Sequence, residues 1–190
     1  TIGIIGLSGS GKTTLLQIIG MLDQASSGNI KIDGSDTSTL SDKAKSKLRN
    51  EYFGFIYQFH HLIDEFTALE NTMMPLLVRK IGMSKAKKEA GVLLSAIGLG
   101  KRLNHRPSEL SGGECQRVAV ARAMIGKPNI ILADEPTGNL DPKTAESVFE
   151  CLLELNETSG SGLIVVTHNH QLAHKLDTVI ELRLGKLKYI

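Results

Sequence analysis

Gly6-Leu7-Ser8-Gly9-Ser10-Gly11-Lys12-Thr13 is the stretch that decides the fold of this chain. The apolar residues 2–5 before it predict a buried strand, and the pattern of residues 14–21 after it predicts a helix. The octet matches G-x-x-x-x-G-K-[ST], in which glycines let the backbone curl so that successive N–H groups face phosphate oxygens. A glycine-rich turn with an exposed lysine is the alternative. The strand before the octet and the helix after it favour a phosphate-binding loop.

The loop predicts that the chain binds a nucleotide. Lys12 is expected to meet the charge of the terminal phosphate, and the Thr13 hydroxyl is expected to ligate Mg²⁺. The candidate nucleotide-binding residues in this part of the chain are Gly6, Leu7, Ser8, Gly9, Ser10, Gly11, Lys12, Thr13 and Thr14.

The composition of the 190 residues indicates a globular domain and argues against several other classes. Hydrophobic residues make up 41% and charged residues 22%, and a formal charge of +2 argues against a general nucleic-acid coat. No apolar run approaches the roughly 18 residues of a membrane span. Cys115 and Cys151 are predicted to be reduced thiols on helices. Because Thr1 already lies at a predicted buried strand, we expect some N-terminal sequence to be missing.

Short β-rich runs alternate with amphipathic stretches, which predicts an α/β fold with a mainly parallel sheet. Between residues 67 and 125 the strand signal disappears, and capping-box patterns at 67–70 and 111–114 predict helix starts. We predict one domain over residues 1–190, with a helical subdomain inserted at approximately 67–125. Asp141 and Pro142 predict a further helix that ends near Gly160. The predicted strands cover residues 2–5, 54–57, 130–133, 163–167 and 178–182.

Two acids close the apolar run that ends at residue 133. At the carboxyl end of a parallel strand, Asp134 would lie in the Mg²⁺ shell, and Glu135 would lie where a carboxylate can polarise an attacking water. Taken alone, an acidic pair that closes a strand more often forms a turn or caps a helix. A phosphate-binding loop in the same chain favours the catalytic interpretation.

Leu110-Ser111-Gly112-Gly113-Glu114 predicts a helix start whose exposed N–H groups suit an anion. This motif resembles the signature motif of ATP-binding-cassette (ABC) ATPases. Gln58 resembles the Q-loop glutamine of that family, residues 138–141 its D-loop, and His168 its switch histidine. All these elements occur in the family's order, and the resemblance covers essentially the whole chain.

The resemblance implies a P-loop NTPase of the ABC ATPase fold that hydrolyses ATP with Mg²⁺. It implies a head-to-tail dimer with a second ATPase subunit, in which Ser111, Gly112 and Gly113 close over ATP held by the partner's loop. Glu135 would polarise water while His168 contacts the γ-phosphate, which makes these two the expected catalytic residues. The expected Mg²⁺ ligands are Thr13, Gln58 and Asp134.

Longer segments at residues 54–62, 66–71, 74–77 and 104–110 resemble the LolD-type ATPases of lipoprotein-releasing systems. The resemblance implies a peripheral subunit on the cytoplasmic face of the bacterial inner membrane. Its expected partners are two integral-membrane permease subunits, and nucleic acid is not expected to be a partner. The segments resemble macrolide-exporter and cell-division ATPases less closely, and these remain alternatives. Within the segments, Phe59, Leu62, Phe66 and Leu69 could face a partner or belong to the core.

Three other classes fit less well. A DNA-repair or chromosome-organising ATPase needs a long coiled coil, but Lys12 and Leu110 are only 98 positions apart (110 minus 12) and no sustained heptads lie between them. A small-molecule kinase would lack the signature and D-loop motifs. A non-catalytic cassette would be favoured by replacement of Glu135 or His168, and both are present.

Two departures limit what can be transferred from the family. Cys115 stands where relatives commonly have a long polar side chain, so we expect a surface contact to be lost. The strand that carries the adenine-stacking aromatic in relatives would precede residue 1, so no residue is assigned to that role.

Overall fold

The computed structural model describes residues 1–190, and a six-stranded sheet forms its centre. All neighbouring strands pair in parallel except the last two, which are antiparallel. A two-stranded hairpin, β2 (Lys31–Ile32) and β3 (Ser35–Asp36), lies apart from this sheet. The α/β fold with a mainly parallel sheet is confirmed. In spatial order the sheet contains β4 (Phe53–Tyr57), β5 (Ile130–Asp134), β6 (Gly162–Val166), β1 (Ile2–Ile5), β7 (Thr178–Arg183) and β8 (Lys186–Tyr189).

The five predicted strands are confirmed, with every end within one residue of its expected position. The sequence pattern does not predict β8 or the small hairpin. In β8 every residue is exposed, so it lacks the apolar pattern that identifies a strand. It forms because Leu184 and Gly185 both adopt positive φ, at 49° and 73°, in a tight turn after β7.

The first helix begins earlier than predicted. α1 spans Lys12–Ile19, so the expected span of 14–21 is wrong by two residues at each end. Lys12 and Thr13 thus stand in its first turn, where backbone N–H groups have no partner within the helix. At the other end, a Cβ added to Gly20 would lie 2.5 Å from the Phe55 ring, so the glycine allows the helix to approach the sheet. The other helices are α2 (Asp42–Tyr52), α3 (Ala68–Val78), α4 (Met83–Ala96), α5 (Gly112–Met124), α6 (Pro142–Ser159) and α7 (His170–Ala173).

The stretch predicted to be helical contains α3, α4, a 3₁₀ turn (Pro107–Glu109) and α5, and both capping boxes are present. The hydrophobic core of this helical stretch includes Cys115, and the residue is only 3% exposed. The expected loss of a surface contact at Cys115 is therefore wrong. Val120 and Met124 on α5 pack instead with side chains of the sheet. Because α5 belongs to both cores, the division of the chain at residues 67 and 125 stays a prediction.

The helix α6 begins and ends as predicted and covers one face of the sheet. Asp141 caps it by accepting from the N–H of Thr144, Pro142 is its first residue, and Gly160 ends it in the left-handed conformation. Its apolar stripe buries Phe149 and Leu152 against the sheet. No helix in the chain has both the length and the apolar character needed to cross a membrane.

Candidate active site

Four loops that carry the predicted site residues leave the same edge of the sheet. The phosphate-binding loop follows β1, Gln58 follows β4, Glu135 follows β5, and His168 comes shortly after β6. These strands are parallel and in register: Tyr57 lies opposite Asp134, and Asp134 lies opposite Val166. Because the carboxyl ends of parallel strands open a crevice, this edge is where an α/β fold binds its ligand.

The phosphate-binding loop has a backbone that requires glycine. Gly9 and Gly11 have φ values of 78° and 95°, in the left-handed region. A Cβ on Gly6 would lie 2.5 Å from the carbonyl oxygen of Leu182. Side chains at these positions would therefore deform the loop that exposes the N–H groups.

The Lys12 side chain folds back over this loop. Its Nζ donates to the carbonyl oxygens of Gly6 and Leu7 at 2.9 and 3.0 Å, and the residue is only 8% exposed. No carboxylate pairs with this ammonium. The buried Ser10 Oγ, also in the loop, has no hydrogen-bond partner. The loop thus combines an unpaired positive charge with an unused hydroxyl, as a phosphate site requires.

Asp134 ends β5 with an unsatisfied carboxylate oxygen. Its Oδ1 is buried and has no hydrogen-bond partner. Burial raises the pKa of this carboxyl above its ordinary value, and contact with the Thr13 hydroxyl opposes that shift. A buried carboxylate oxygen beside a hydroxyl is a donor set that Mg²⁺ accepts, with substrate phosphates completing its shell. The residues present therefore fit the cation that the sequence predicts.

Glu135 and His168 lie together, as expected for a catalytic pair. The His168 Nδ1 is 2.8 Å from the Glu135 Oε1, and the Thr167 hydroxyl donates to the Oε2 at 3.2 Å. Glu135 has a φ of 46°, and its N–H donates to the Val166 carbonyl. Such a conformation is costly for glutamate, and here it directs the carboxylate towards the residues that follow β6. Thr167 was not predicted as a site residue from the sequence.

Gln58 is bound to the segment that resembles the D-loop. Its Nε2 donates to the Asn139 Oδ1 at 2.8 Å, and the Asn139 Nδ2 donates to the Gln58 carbonyl at 3.2 Å. A Cβ on Gly138 would lie 3.0 Å from the same Nε2. Because the amide nitrogen is occupied, the Gln58 side-chain oxygen is the atom left to ligate a cation. Asn139 was predicted only as part of a motif, and its role in orienting Gln58 was missed.

Ser111, Gly112 and Gly113 are placed apart from the phosphate-binding loop, at the start of α5, and share no hydrogen bond with it. The Ser111 hydroxyl donates to Glu114 Oε2 at 2.9 Å and accepts from the Glu114 N–H at 3.3 Å. The Ser111 hydroxyl is therefore already engaged in the helix cap. Ser111 also lowers the pKa of Glu114, first through its backbone N–H.

Comparison with known proteins identifies the family. The model of the family described as ABC transporter matches residues 1–138. The chain is 55% identical, over 188 residues, to the lipoprotein-releasing system ATP-binding protein LolD of Xanthomonas axonopodis pv. citri, covering 99% of this chain and 77% of that protein. The protein of the same name from Hahella chejuensis is 54% identical, with coverages of 98% and 81%.

Solved structures show the same fold. The dimeric structure of a bacterial ABC transporter cassette has a TM-score of 0.88 and 42% identity, and it covers 98% of this chain and 82% of that one. A dimeric post-hydrolysis cassette bound to ADP and phosphate has the same TM-score and coverage at 41% identity. The loop, the acids at the strand ends and the family match agree, and the chain therefore belongs to the ABC transporter family as one of its ATPases.

Proposed function

We propose that this chain is the ATP-hydrolysing subunit of a lipoprotein-releasing system, bound to two permease subunits at the cytoplasmic face of a bacterial inner membrane. One observation carries the proposal: the identity of about 55% to proteins of that name extends over 99% of the chain. The two relatives named above are both ATP-binding proteins of lipoprotein-releasing systems, which favours this function over the macrolide-exporter and cell-division alternatives.

The residues at the sheet edge divide into groups that hold the nucleotide and groups that act on water. Lys12 and the loop N–H groups would hold the ATP phosphates, and Thr13, Asp134 and the Gln58 oxygen would hold Mg²⁺. When bound, Mg²⁺ neutralises charge on the phosphates. Residues 6–14 therefore form the nucleotide site within one subunit.

Glu135 is placed to accept a proton from water. As the water oxygen bonds to the γ-phosphorus, the bond from that phosphorus to the oxygen bridging it to ADP breaks, and the proton passes to the Glu135 carboxylate. Thr167 and His168 fix the carboxylate, and His168 can also contact the γ-phosphate oxygens. This positioning lowers the barrier because the groups are oriented before the reaction begins.

Ser111, Gly112 and Gly113 would act on a second subunit. Ser111 and Gly112 are exposed at the N-terminus of α5 and Gly113 is buried behind them, and none of the three shares a hydrogen bond with its own phosphate-binding loop. The solved structures of related cassettes are dimeric, which supports a dimer of this chain, and in a head-to-tail arrangement these residues would reach the partner's nucleotide. Entry of ATP would then draw two subunits together, which supplies the movement that permeases could use.

The test is reconstitution with the permease subunits of the Xanthomonas axonopodis system in proteoliposomes that contain an acylated lipoprotein. We expect ATP-dependent release of the lipoprotein to a soluble acceptor, and no release with ADP. A macrolide exporter reconstituted with the same chain serves as the comparison. Efflux of macrolide without lipoprotein release would overturn the proposal.

A further inference from the structure

The carboxylate of Glu114, which closes the cap of α5, is bound from two sides. Its Oε2 accepts from the N–H and the hydroxyl of Ser111, at 2.8 and 2.9 Å. Its Oε1 accepts from the Nε of Arg102 at 3.0 Å. Ser111 therefore uses only one oxygen of the carboxylate, and the arginine holds the other.

Arg102 belongs to the loop between α4 and the 3₁₀ turn, and α3 fixes that loop. The first two N–H groups of α3 donate to the carbonyls of His105 and Leu103, at 2.8 and 3.0 Å. Within the loop, the His105 Nε2 lies 3.2 Å from the Arg102 Nη1. These contacts place the guanidinium beside the start of α5, although Arg102 and Glu114 are 12 positions apart in the sequence.

The cap of α3 has the same capping box without such an arginine. Thr67 and Glu70 exchange the same hydrogen bonds as Ser111 and Glu114, and Glu70 forms no ion pair. An arginine is thus not required to close a capping box. It distinguishes the helix start that is expected to meet a phosphate from the one that is not.

The Ser111 hydroxyl has one proton and, once a partner subunit presents ATP, two acceptors for it. An ionised phosphate oxygen only accepts, so the hydroxyl must turn from Glu114 in order to donate to it. Glu114 then keeps the Ser111 N–H on Oε2 and Arg102 on Oε1, and both carboxylate oxygens stay hydrogen-bonded. Without the arginine, the carboxylate would keep a single partner and carry an unbalanced negative charge close to a phosphate.

We propose that Arg102 is a positioning residue for the ATP of the partner subunit: it holds Glu114 so that the Ser111 hydroxyl can pass from the helix cap to the γ-phosphate. The inference rests on the head-to-tail pairing in the proposed function. Arg102 itself does not touch the nucleotide in this arrangement. It acts through Glu114, by balancing the charge of the carboxylate and by occupying the oxygen that Ser111 does not use.

The experiment measures ATP-dependent dimerisation of the full chain in the Glu135→Gln background. Arg102→Ala removes the ion pair, Arg102→Lys keeps a positive charge, and Arg106→Ala is the matched control. Arg106 is an exposed arginine of the same loop, and its guanidinium forms no ion pair. Size-exclusion chromatography across an ATP titration gives the ATP concentration at which half of the chain is dimeric. Thermal unfolding and binding of a fluorescent ATP analogue to the monomer verify that each variant is folded and holds nucleotide.

We expect Arg102→Ala to need about tenfold more ATP for dimerisation, while ATP binding by the monomer is unchanged. Arg102→Lys should recover part of the loss, and Arg106→Ala should dimerise like the background protein. If Arg102→Ala does not fold, Arg102→Met keeps the aliphatic length without the charge and carries the same expectation. Normal dimerisation without the arginine overturns the inference, and so does an equal loss in the Arg106 control.

Glu114→Gln supplies the second test, because glutamine also closes a capping box but carries no charge. In that background Arg102→Ala should change the ATP requirement by less than about twofold, since no charge is left to balance. A full loss that persists there means that Arg102 does not act through Glu114, which overturns the inference. If the Glu135→Gln protein binds ATP and never dimerises, the proposed head-to-tail pairing falls first and this inference with it.

Discussion

The catalytic chemistry proposed for this chain depends on single side chains whose positions the backbone enforces. Glu135 sits at a φ of 46° between β5 and the loop that follows, and it is held by Thr167 and His168. A residue in that conformation is costly unless its surroundings compensate. Glu135 thus adopts an energetically costly conformation at the position where we propose that water is activated.

Glu135→Gln should reduce ATP hydrolysis about 100-fold or more and leave ATP binding intact. The amide keeps the shape of the side chain but cannot accept the proton from water. Steady-state ATPase activity checks the loss of hydrolysis. Equilibrium binding of a fluorescent ATP analogue to the same preparation checks that nucleotide binding is retained. Glu146→Gln, which alters an exposed glutamate of α6, is the control and should hydrolyse ATP normally. Normal turnover in the Glu135 variant would contradict its assignment.

Asp134→Asn should stabilise the protein in the absence of nucleotide and Mg²⁺, although it removes a predicted cation ligand. Burial raises the pKa of Asp134, so the folded state disfavours the charged form. The penalty is therefore present above that raised pKa and disappears as pH falls through it and the carboxyl takes up a proton. At pH 7 we expect a gain of about 1 kcal/mol, or about 2–4 °C in Tm, that shrinks towards acid pH.

The measurement is thermal unfolding of both proteins across a pH series, without and with Mg²⁺ and ATP. Added Mg²⁺ and ATP should reverse the order of stability, because only the unmodified carboxylate can hold the cation. A variant that is less stable than the unmodified chain at every pH would argue that Asp134 is a structural residue.

At the scale of elements, helix starts serve two purposes. The capping boxes of α3 and α5 are alike: Thr67 pairs with Glu70, and Ser111 pairs with Glu114. Both satisfy N–H groups that a helix leaves without partners. Only α5 begins with two glycines, which leave its N-terminus open to an anion. The same local structure is thus a cap in one helix and the predicted phosphate contact in the other.

In the Glu135→Gln background, the chain should dimerise with ATP and not with ADP, and Ser111→Arg should abolish that dimer. The arginine would crowd the partner's γ-phosphate, and size-exclusion chromatography reads the result. Thr67→Ala is the matched control, because it removes the same kind of cap, at about 1 kcal/mol, but leaves the dimer intact. A dimer that persists in the Ser111→Arg variant would contradict a phosphate-linked interface. A Glu135→Gln protein that binds ATP but stays monomeric would contradict it as well.

At the scale of the whole molecule, the fold separates the surface that hydrolyses ATP from surfaces that face other chains. In the segment after Gln58, the sequence left open whether the apolar side chains face a partner or belong to the core, and the structure shows examples of both. Leu62 and Leu69 belong to the core, whereas Phe59 is 65% exposed. An exposed phenylalanine beside the nucleotide site is available to a partner.

Phe59→Glu should leave the protein folded and its basal ATPase activity near normal, but weaken permease binding and lipoprotein release. The exposed ring contributes little to the core, so its loss affects only an apolar contact with a partner. Leu62→Ala is the contrasting variant and should destabilise the fold by about 2–5 kcal/mol. Tm, ATPase rate and release in proteoliposomes separate the two effects. Normal release by the Phe59 variant would exclude this residue from the contact.

The sequence by itself determined most of the fold and the identity of most candidate site residues. The five core strands, both capping boxes and the phosphate-binding loop follow from local rules, because strand periodicity, cap chemistry and glycine geometry are properties of neighbouring residues. The resemblance to ABC ATPases added Gln58, His168 and the signature residues. The strand β8 and the small hairpin were not predicted, because they form through strand pairing and turn geometry and lack an apolar sequence pattern.

What only the tertiary structure decided depends on residues that are distant along the chain. Asn139 lies 81 positions from Gln58, and Thr167 lies 32 from Glu135, so no local pattern predicts either hydrogen bond. Cys115 is buried because of the way α5 packs, and the amino-acid composition does not predict that packing. Local patterns predict neither the burial nor the two hydrogen bonds, because parallel strand order and helix packing are set by the whole core.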